Sequence, residues 1–372
     1  MILHLADDEK MINRAVRNFN KAFPQQLHRF LIDVPHHKYK CKHVQLKTDV
    51  LSAVFGSSDF YNIIGDLSGY STIVFHNLTR NKCRFIQKNK NIKAKFIWIL
   101  WGFDLYSFLE AKGYGLYVNT KDFNNLTRCK ISVKKILQKT FYNILYADAY
   151  KRIDVCACPP KGDYDLLKQY SFTNAKWQWY NFYPVDNIVN ETNLGDTISG
   201  NNILVGNSGA ITNNHVEAFK LLSQFELDDR SVITPLTYGD AINIKHVINQ
   251  GKKILSENFS PVLGFLPISE YNYVIKECSI AIMPHLRQQA IGNLIILLYL
   301  GAKIYLYEQN TLFDYFKNLG LILFSIEKDL IVANRMALTA LDKDAQTWNR
   351  TIIFQEFNEE KTLREIKIML HA

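Results

Sequence analysis

A short run of glycines and small polar residues interrupts the chain in "ILVGNSGAITNNH", residues 203–215. An apolar run typical of a buried strand reaches Gly206, passes through Asn207, Ser208 and Gly209, and leads into a helical pattern. Glycine adopts backbone conformations that other residues avoid, so one interpretation is a tight strand-to-helix turn. The other is a cradle for an anionic ligand, because glycines let a ligand approach the backbone and the first N–H groups of a helix attract negative charge. This segment alone does not decide between the two.

A second polar segment lies in "MPHLRQQAIGNLIILLYLG", residues 283–301. Its polar and glycine residues are His285, Arg287, Gln288, Gln289, Gly292 and Asn293. The apolar stretch that follows predicts a buried helix ending at Gly301, whose N-terminus carries a partial positive charge. Arg287 could add a bidentate contact to a phosphate, or it could lie on the surface beside a capped helix. Two such segments at one edge of a sheet together favour a diphosphate ligand.

Apolar runs in both halves of the chain predict the strands that position these segments. The first half contains "MILHL", "RFLIDV", "STIVFHNL", "KFIWILWG" and "VCACPP", with helical patterns over 10–22 and 134–152. The second half alternates "NILVG", "SVITPL", "PVLGFLP", "IAIMP" and "KIYLY" with helical patterns over 213–224, 240–254, 269–278 and 290–300. Runs without polar alternation are typical of parallel strands covered on both faces. The sequence therefore predicts doubly wound α/β domains, with both polar segments at the carboxyl edge of one sheet, where ligands bind.

The length of 372 residues predicts two domains, and 48% hydrophobic with 13% aromatic residues predicts order. The stretch "VDNIVNETNLGDTISGN", roughly 185–201, loses periodicity, so we predict an irregular boundary between domains 1–190 and 191–372, with the last helix able to pack on the first domain. The opening "MILHLADDEK" does not resemble a signal peptide, and no apolar run is long enough to span a membrane. The six cysteines match no disulfide framework or zinc pattern. We expect reduced thiols, no metal and no cofactor.

A formal net charge of +9 requires an anionic partner or a solvated basic surface. Lysine and arginine are concentrated between residues 80 and 153. Within the helical pattern over 134–152 the cations are Lys134, Lys135, Lys139, Lys151 and Arg152, and the apolar positions are Ile136, Leu137, Phe141, Ile144 and Leu145. This pattern suits a helix lying against an anionic membrane, but core packing explains its apolar face equally well. Nucleic acid and simple solubility are the other interpretations of the charge.

Three blocks together resemble a known family: "FIWILWGFDLY" (96–106), "ILVGNSGAITNNH" (203–215) and "RQQAIGNLIILLYLGAKIYL" (287–306). They are similar, in order and spacing, to the TDP-N-acetylfucosamine:lipid II N-acetylfucosaminyltransferases of enterobacterial common antigen synthesis, which are GT-B glycosyltransferases. The resemblance implies two Rossmann-like domains facing a cleft, a nucleotide-diphosphosugar donor, and an acceptor sugar on a polyprenyl diphosphate. It also implies a peripheral enzyme at the cytoplasmic face of the bacterial inner membrane.

The resemblance places the donor phosphates at the turn from Gly206 to Gly209 and at the segment from Arg287 to Asn293, with 101–104 facing the cleft. Many GT-B enzymes carry a ribose-binding glutamate in the helix after the phosphate loop, but "NLIILLYL" has none. Ribose contacts would then come from Gln289, Asn293 or a polar group near Tyr238.

We predict Asp104 as the base that removes the acceptor hydroxyl proton, because it follows a strand whose end should reach the cleft. The alternative is that Asp104 caps the helix beginning "LYSFLE". His76, at the end of "STIVFH", is the second candidate base or a hydrogen-bonding residue of the acceptor site, although a core histidine is the more common role. Asp7 and Asp8, after the first strand, are further candidates.

These features together predict a metal-independent GT-B glycosyltransferase that moves a deoxyamino sugar to a lipid-linked saccharide. Two helix termini and Arg287 would neutralise the leaving diphosphate. A nucleic-acid-binding protein is the rival class, but its aromatic residues should interleave with basic ones, whereas here most aromatics lie in predicted strands and buried helices. A catalytically silent sugar-binding scaffold is a third interpretation, which a turnover measurement would separate from the first.

Overall fold

The computed structural model describes residues 1–118, 133–192, 195, 197–264 and 266–371. The chain divides into two compact units. Unit 1 comprises Met1–Tyr114, the described part of Ile131–Pro184, and Glu359–Ala372; unit 2 comprises Val185–Asn358 and the described residues 115–118. None of the described helices is long and apolar enough to cross a membrane.

Unit 1 is built on a seven-stranded parallel sheet in the order β3-β2-β1-β4-β5-β6-β7. Its strands are β1 (Ile2–Asp7), β2 (His28–Asp33), β3 (Val50–Ala53), β4 (Thr72–His76), β5 (Lys95–Ile99), β6 (Val155–Ala157) and β7 (Lys176–Gln178). Its first six helices are α1 (Ile12–Ala22), α2 (Ser58–Ile64), α3 (Arg80–Lys88), α4 (Phe103–Ala111), α5 (Val133–Arg152) and α6 (Lys161–Tyr170). The strand order reverses between β1 and β4, so the residues that end these two strands lie beside the point where open α/β sheets bind ligands.

Unit 2 is built on a six-stranded parallel sheet in the order β10-β9-β8-β11-β12-β13. Its strands are β8 (Asn202–Val205), β9 (Val232–Pro235), β10 (Phe259–Val262), β11 (Cys278–Met283), β12 (Lys303–Leu306) and β13 (Phe324–Ser325). Its helices are α7 (Val185–Thr192), α8 (His215–Leu222), α9 (Ala241–Leu255), α10 (Ile268–Lys276), α11 (Ile291–Leu300), α12 (Thr311–Asn318) and α13 (Lys343–Glu356). Here the order reverses between β8 and β11, and the two polar segments of the sequence follow these two strands.

Helix α11 is the buried helix that its sequence predicts. Every side chain from Leu294 to Leu300 is buried. The helix ends at Gly301, which adopts a left-handed conformation with φ of 94°. A Cβ there would lie 2.7 Å from Cγ of Gln346 in α13, so glycine is required both for the turn and for close packing.

The structure differs from the sequence prediction in the stretch between the two predicted domains. The stretch 185–201 is not irregular throughout, because α7 (Val185–Thr192) occupies its first half. Helix α7 is short and contains alternating polar residues, so its sequence shows too little helical periodicity to predict a helix. The final helix, α14 (Glu359–His371), belongs to unit 1, where Ile366 and Met369 join the same buried cluster as Phe19 and Phe30.

Candidate functional site

Asn213 organises the turn that follows β8. Its Oδ1 accepts hydrogen bonds from the backbone N–H of Asn207 at 2.9 Å and from Nε2 of His285 at 2.8 Å. Its Nδ2 donates to Oγ of Ser208 at 3.1 Å and to the carbonyl of Ala210 at 3.2 Å. These four bonds use the full hydrogen-bonding capacity of the buried amide, which therefore fixes the path of the turn.

Three backbone donors of this turn, those of Gly206, Asn207 and Gly209, are already engaged within unit 2. The N–H groups of Gly206 and Gly209 donate to the carbonyls of Ile282 and Tyr238, at 3.0 and 2.6 Å, and that of Asn207 donates to an amide as described above. A phosphate at these donors would have to displace the existing bonds. The geometry therefore favours the tight-turn interpretation, and the phosphate cradle at this turn stays a prediction.

Close packing explains two of the glycines at this edge. A Cβ on Gly209 would collide with the side chain of Ile244 in α9, and a Cβ on Gly239 would lie 2.6 Å from the backbone nitrogen of Ala210. These glycines let the loops after β8 and β9 meet backbone to backbone, so their presence needs no ligand to explain it.

Side-chain hydrogen bonds join the loops after β8, β9 and β11. Oγ1 of Thr212 donates to Oε1 of Gln289 at 2.8 Å. Nε2 of Gln289 donates to Oδ1 of Asn207 at 3.0 Å, and Nδ2 of Asn207 lies 3.3 Å from the hydroxyl of Tyr238. Three residues predicted to bind the donor, from three separate loops, thus form one connected group, which we call the amide bridge: Asn207, Tyr238 and Gln289.

The N-terminus of α11 offers unengaged positive charge beside the amide bridge. Ala290, immediately before the helix, adopts a left-handed conformation with φ of 58° and forms no side-chain cap. Such a conformation costs roughly 1–2 kcal/mol for a residue with a Cβ, and strain of this kind is concentrated at functional sites. Gly292 lies in the first turn, is half-buried and has no side chain to cover the backbone. The first N–H groups of an uncapped helix are natural anion donors.

The other predicted residues of this segment are arranged around that helix end. Nδ2 of Asn293 donates to the hydroxyl of Tyr271 at 2.8 Å. Gln288 is buried, and Arg287 is half-buried with one Nη 3.2 Å from the carbonyl of Gln288. Arg287 is therefore only partly exposed. It lies in the loop that leads to the N-terminus of α11, where it would add positive charge.

Two buried histidines lie beneath the turn after β8. A Cβ on Gly206 would lie 2.7 Å from both Oδ1 of Asn213 and Nε2 of His215, so the backbone of the turn rests directly on these side chains. Burial lowers the pKa of His215 to about 3. Burial, and then the charge of Arg287, hold the pKa of His285 well below its ordinary value. Both rings are neutral near pH 7.

The carboxyl edge of unit 1 carries an ion pair between Asp7, which ends β1, and Lys82 of α3. Nζ of Lys82 is fully buried and donates to Oδ1 of Asp7 at 3.0 Å, to Oδ1 of Asn77 at 2.8 Å and to the carbonyl of His76 at 3.0 Å. Nδ2 of Asn77 donates to the other oxygen of Asp7 at 2.6 Å. The Asp7 side chain keeps 26% of its surface exposed. It is a carboxylate held in place on two sides and open on a third.

Asp33 is the neighbour of Asp7 in register on β2. Burial raises the pKa of Asp33, against the opposite effect of a 3.1 Å hydrogen bond from the N–H of Phe55.

Asp8 holds the loop that follows β2. It accepts hydrogen bonds from the hydroxyl of Tyr39 and the backbone N–H groups of Lys42, His43 and Val44, at 3.1, 2.6, 3.1 and 2.8 Å. Burial would raise the pKa of Asp8, but these donors lower it below the ordinary value. A carboxylate with four donors is a weak proton acceptor, so the geometry favours a structural role.

Asp104, the first predicted base, is only 1% exposed. It accepts hydrogen bonds from the N–H of Leu78 at 2.9 Å, the indole of Trp98 at 2.7 Å and the N–H of Trp101 at 3.1 Å. Burial raises the pKa of Asp104 to about 6, against the opposing effect of these donors. Gly102, not Asp104, occupies the N-cap position before α4. The carboxylate holds three segments together, which favours a structural role, and its role as a base stays a prediction.

His76, the second predicted base, is buried in a chain of three histidines. Its Nε2 lies 3.1 Å from Nδ1 of His4, and Nε2 of His4 lies 3.0 Å from Nδ1 of His28. Burial lowers the pKa of His76 to about 3 and that of His28 to about 4. A base this weak takes little part in proton abstraction near neutral pH, so the geometry again favours a structural role, while the assignment itself stays a prediction.

The basic helix is observed as α5 (Val133–Arg152), but only part of its predicted surface is described. The side chains of Lys134, Lys135 and Lys139 lie outside the described part of the structure. Arg152 forms its contacts within unit 1. It forms an ion pair with Asp154 at 2.7 Å and donates hydrogen bonds to the backbone carbonyls of three residues in the segment that leads into β5. Leu145 is buried and Ile144 is exposed. The ion pair and hydrogen bonds of Arg152 therefore give this residue a role in packing.

Sequence reasoning gave no role to Asn213, Thr212 or Lys82. The adjacent asparagines in "GAITNNH" were a usable signal, because an amide after a glycine turn can cap backbone groups on both sides. Lys82 gave no signal, because its segment is rich in lysine and only the fold shows that this one is buried.

Comparison with known proteins places this chain among glycosyltransferases. A family model described as "4-alpha-L-fucosyltransferase glycosyl transferase group 56" matches residues 132–364. Sucrose-phosphate synthase from Thermosynechococcus elongatus has 9% sequence identity and a TM-score of 0.66, with 100% of this chain and 98% of that chain covered. The UDP-forming alpha,alpha-trehalose-phosphate synthase from Burkholderia xenovorans has 10% identity and a TM-score of 0.64, with both chains fully covered. Anabaena HepE in complex with UDP-glucose has 10% identity and a TM-score of 0.63, covering 100% and 99%. The likeness confirms the predicted GT-B fold.

Proposed function

We propose that this chain, which belongs to the 4-alpha-L-fucosyltransferase family of glycosyl transferase group 56, transfers a deoxyamino sugar of the N-acetylfucosamine type from a nucleoside diphosphate such as TDP to a saccharide carried on a polyprenyl diphosphate. The family and the GT-B fold make it a nucleotide-sugar-dependent glycosyltransferase. The sugar, the lipid-linked acceptor and the roles of individual residues are our proposals.

The uncapped N-terminus of α11 beside the amide bridge is the observation that carries the proposal for the donor. A diphosphate at Ile291–Asn293 would accept from the first N–H groups of the helix, with Arg287 in the same loop as a cationic contact. The amide bridge supplies both donors and acceptors, which suits the hydroxyl groups of ribose or of the transferred sugar. Anabaena HepE, which has the same fold, was solved in complex with UDP-glucose, and this supports a nucleotide sugar as the donor.

The leaving diphosphate needs its charge neutralised as the bond to the sugar breaks. In this proposal the helix terminus and Arg287 supply that neutralisation, so transfer requires no metal ion or cofactor. We expect full turnover after exhaustive chelation of divalent cations. Turnover that disappears with the chelator and returns with Mg²⁺ or Mn²⁺ would contradict this part of the proposal.

Asp7 is the group in unit 1 best placed to activate the acceptor, because it combines an exposed carboxylate with a fixed position at the carboxyl edge. The acceptor hydroxyl oxygen forms a bond to the anomeric carbon, the bond from that carbon to the phosphate oxygen breaks, and the nucleoside diphosphate leaves. Asp7 takes the hydroxyl proton. Lys82 and Asn77 hold the carboxylate and leave room for that contact. Asp104 and His76 are the alternatives that the sequence predicted.

A lipid-linked acceptor also implies contact with a membrane, which we propose is the cytoplasmic face of the bacterial inner membrane. The basic segment around α5 would bind anionic headgroups, each cation near the surface contributing about 1 kcal/mol. The protein should sediment with vesicles containing anionic lipid, and salt should weaken this binding. Equal sedimentation with neutral and anionic vesicles would leave α5 as a packing element only.

A thermal-shift series with nucleoside diphosphates tests the donor proposal. A ligand that binds only the folded protein stabilises it by about 2.7 kcal/mol at a hundredfold excess over its Kd, so TDP or UDP should raise the melting temperature. Transfer is then measured with the matching sugar donor on a polyprenyl-diphosphate saccharide and on the same saccharide without lipid. If neither nucleotide raises the melting temperature and neither acceptor is modified, the proposed function is wrong.

A further inference from the structure

The contacts beneath the turn after β8 assign a role to His285, which the sequence placed in the second polar segment without a role of its own. His285 is fully buried, and its Nε2 is 2.8 Å from Oδ1 of Asn213. That oxygen already accepts the backbone N–H of Asn207 at 2.9 Å, so it is the acceptor and Nε2 of His285 carries the proton. The neutral ring then has a defined tautomer, with Nδ1 unprotonated.

The orientation of the Asn213 amide depends on this donor. With the amide turned over, Nδ2 would face two N–H donors, and Oδ1 would face Oγ of Ser208 and the carbonyl of Ala210. The hydrogen bond from His285 therefore favours the orientation in which the N–H of Asn207 is accepted.

The position of the Asn207 backbone determines where its side chain lies. That side chain forms hydrogen bonds with both Gln289 and Tyr238 in the amide bridge. We propose that His285 is a positioning residue for the donor site: its Nε2–H holds Asn213, and Asn213 holds Asn207 in the geometry that forms the amide bridge. This inference rests on the proposed function, because it assumes that the amide bridge contacts the nucleotide sugar.

His215 provides a matched control within the same cluster. It is also buried and also neutral near pH 7, and it packs beneath Gly206, but neither of its ring nitrogens forms a hydrogen bond in the described part of the structure. Loss of packing volume should affect the two rings alike, whereas loss of the hydrogen bond to Asn213 affects only His285.

The experiment compares His285→Leu, His285→Gln and His215→Leu for binding of TDP and UDP by calorimetry and for KM and kcat with the sugar donor. His285→Leu should raise Kd and KM roughly tenfold, the effect of one buried hydrogen bond, with a smaller change in kcat. His285→Gln, whose amide nitrogen can take the place of Nε2, should bind within about threefold of the wild type, and His215→Leu should match the wild type. Equal Kd values for His285→Leu and the wild type, or a Gln variant as weak as the Leu variant, would overturn the inference.

Hydrogen exchange at the Asn207 amide, measured without any ligand, separates this inference from the proposed function. Protection should fall in His285→Leu and persist in His285→Gln, whether or not the protein binds TDP. If the Leu variant does not fold, His285→Asn replaces it, because its shorter amide places nitrogen near Nδ1 instead of Nε2. Unchanged protection in His285→Asn would then overturn the inference, while absence of TDP and UDP binding by the wild type would count against the proposed function alone.

Discussion

The carboxyl edges of the two sheets carry different chemistry on the same topology. In unit 1 the strands at the point of reversal end in Asp7 and His76, and Asp7 is paired with the buried Lys82. In unit 2 the loops at the corresponding point are residues 206–214 and 284–290. They contain glycines, amide side chains, a neutral histidine and one arginine, but no carboxylate. A fixed carboxylate can accept a proton but repels a diphosphate, whereas amides and a helix terminus bind an anion and are poor bases. The difference suits one edge to the acceptor and the other to the donor.

The two edges also differ in how they are stabilised. In unit 1 the Asp7 carboxylate is held by its ion pair with Lys82, because a buried lysine requires a partner of opposite charge. The loops of unit 2 are held by neutral hydrogen bonds through Asn213 and the amide bridge. Substitutions should therefore act on turnover at the first edge and on donor affinity at the second.

Asp7→Asn provides the largest expected effect and tests the acceptor half of this comparison. If Asp7 accepts the hydroxyl proton, the variant should lose on the order of 10²–10⁴ in turnover and keep its affinity for TDP, because general base catalysis contributes about that much. Steady-state kinetics at saturating donor measure the loss. Asp33→Asn, the same change of charge at the neighbouring register position, should lose less than tenfold.

Asp104→Asn decides between Asp7 and the base that the sequence predicted. In Asp104→Asn an amide nitrogen faces N–H donors, so thermal melting should show a loss of about 1–3 kcal/mol in the free energy of unfolding. Sugar transfer by the folded variant should be near normal. A large loss of turnover in Asp104→Asn, together with normal turnover in Asp7→Asn, would return the role of base to Asp104.

Arg287→Ala tests the donor half of the comparison. Arg287 lies in the loop that leads to the helix terminus, and loss of a charged hydrogen bond to the diphosphate should weaken TDP binding by roughly 1.5–3 kcal/mol. Calorimetry with TDP measures this change directly. Lys276→Ala, a change of the same charge in α10 of the same unit, should bind normally. Unchanged affinity in Arg287→Ala would make that residue a surface cation and leave the helix terminus as the anion site.

Much of unit 2 could be predicted from the sequence, because its strands are short apolar runs that alternate with helices, and the burial of α11 follows from "LIILLYL". The same reasoning placed both polar segments after parallel strands. It did not distinguish a cradle from a tight turn at Gly206, since that depends on which acceptors the backbone N–H groups meet in three dimensions.

The candidate acceptor site was harder to predict from sequence. Asp104 and Asp7 both follow strands, and strand ends do not reveal whether a carboxylate is covered. The indole of Trp98 and the N–H of Leu78 close over Asp104, whereas Asp7 stays open on one side. Lys82, which fixes Asp7, stands in a lysine-rich helix that composition alone would assign to the surface.

Acid should act in opposite directions through two buried groups, His215 in unit 2 and Asp104 in unit 1. The pKa of His215 is about 3 in the folded protein and about 6.5 when unfolded, so the unfolded chain takes up the proton first and stability is lost as pH falls below 6.5. The pKa of Asp104 is about 6 when folded and about 3.9 when unfolded, so the folded protein takes up the proton first and stability is gained between pH 6 and 4. Each group contributes up to about 1.4 kcal/mol per pH unit.

Two variants therefore shift the acid response in opposite directions. His215→Leu should flatten the loss of stability of unit 2 between pH 6.5 and 5, and Asp104→Asn should steepen that of unit 1. Hydrogen exchange followed separately in peptides of each unit at several pH values gives both slopes. Equal slopes in wild type and variants would mean that these side chains titrate alike in the folded and unfolded protein.

Gly292→Ala gives the smallest expected effect and the sharpest test of the anion site. Gly292 lies in the first turn of α11 and does not have a positive φ, so alanine fits the helix and should stabilise the fold by about 0.5–1 kcal/mol. If a diphosphate approaches the backbone there, the added methyl group should nevertheless weaken TDP binding severalfold, so stability and affinity would move in opposite directions. Gly251→Ala is unsuitable as a control, because its Cβ would collide with the ring of Phe259, whereas Gly264, with open space around it, is suitable. If Gly292→Ala is more stable and binds TDP as tightly as Gly264→Ala does, no ligand approaches the backbone at α11, and the division of chemistry between the two edges loses its donor side.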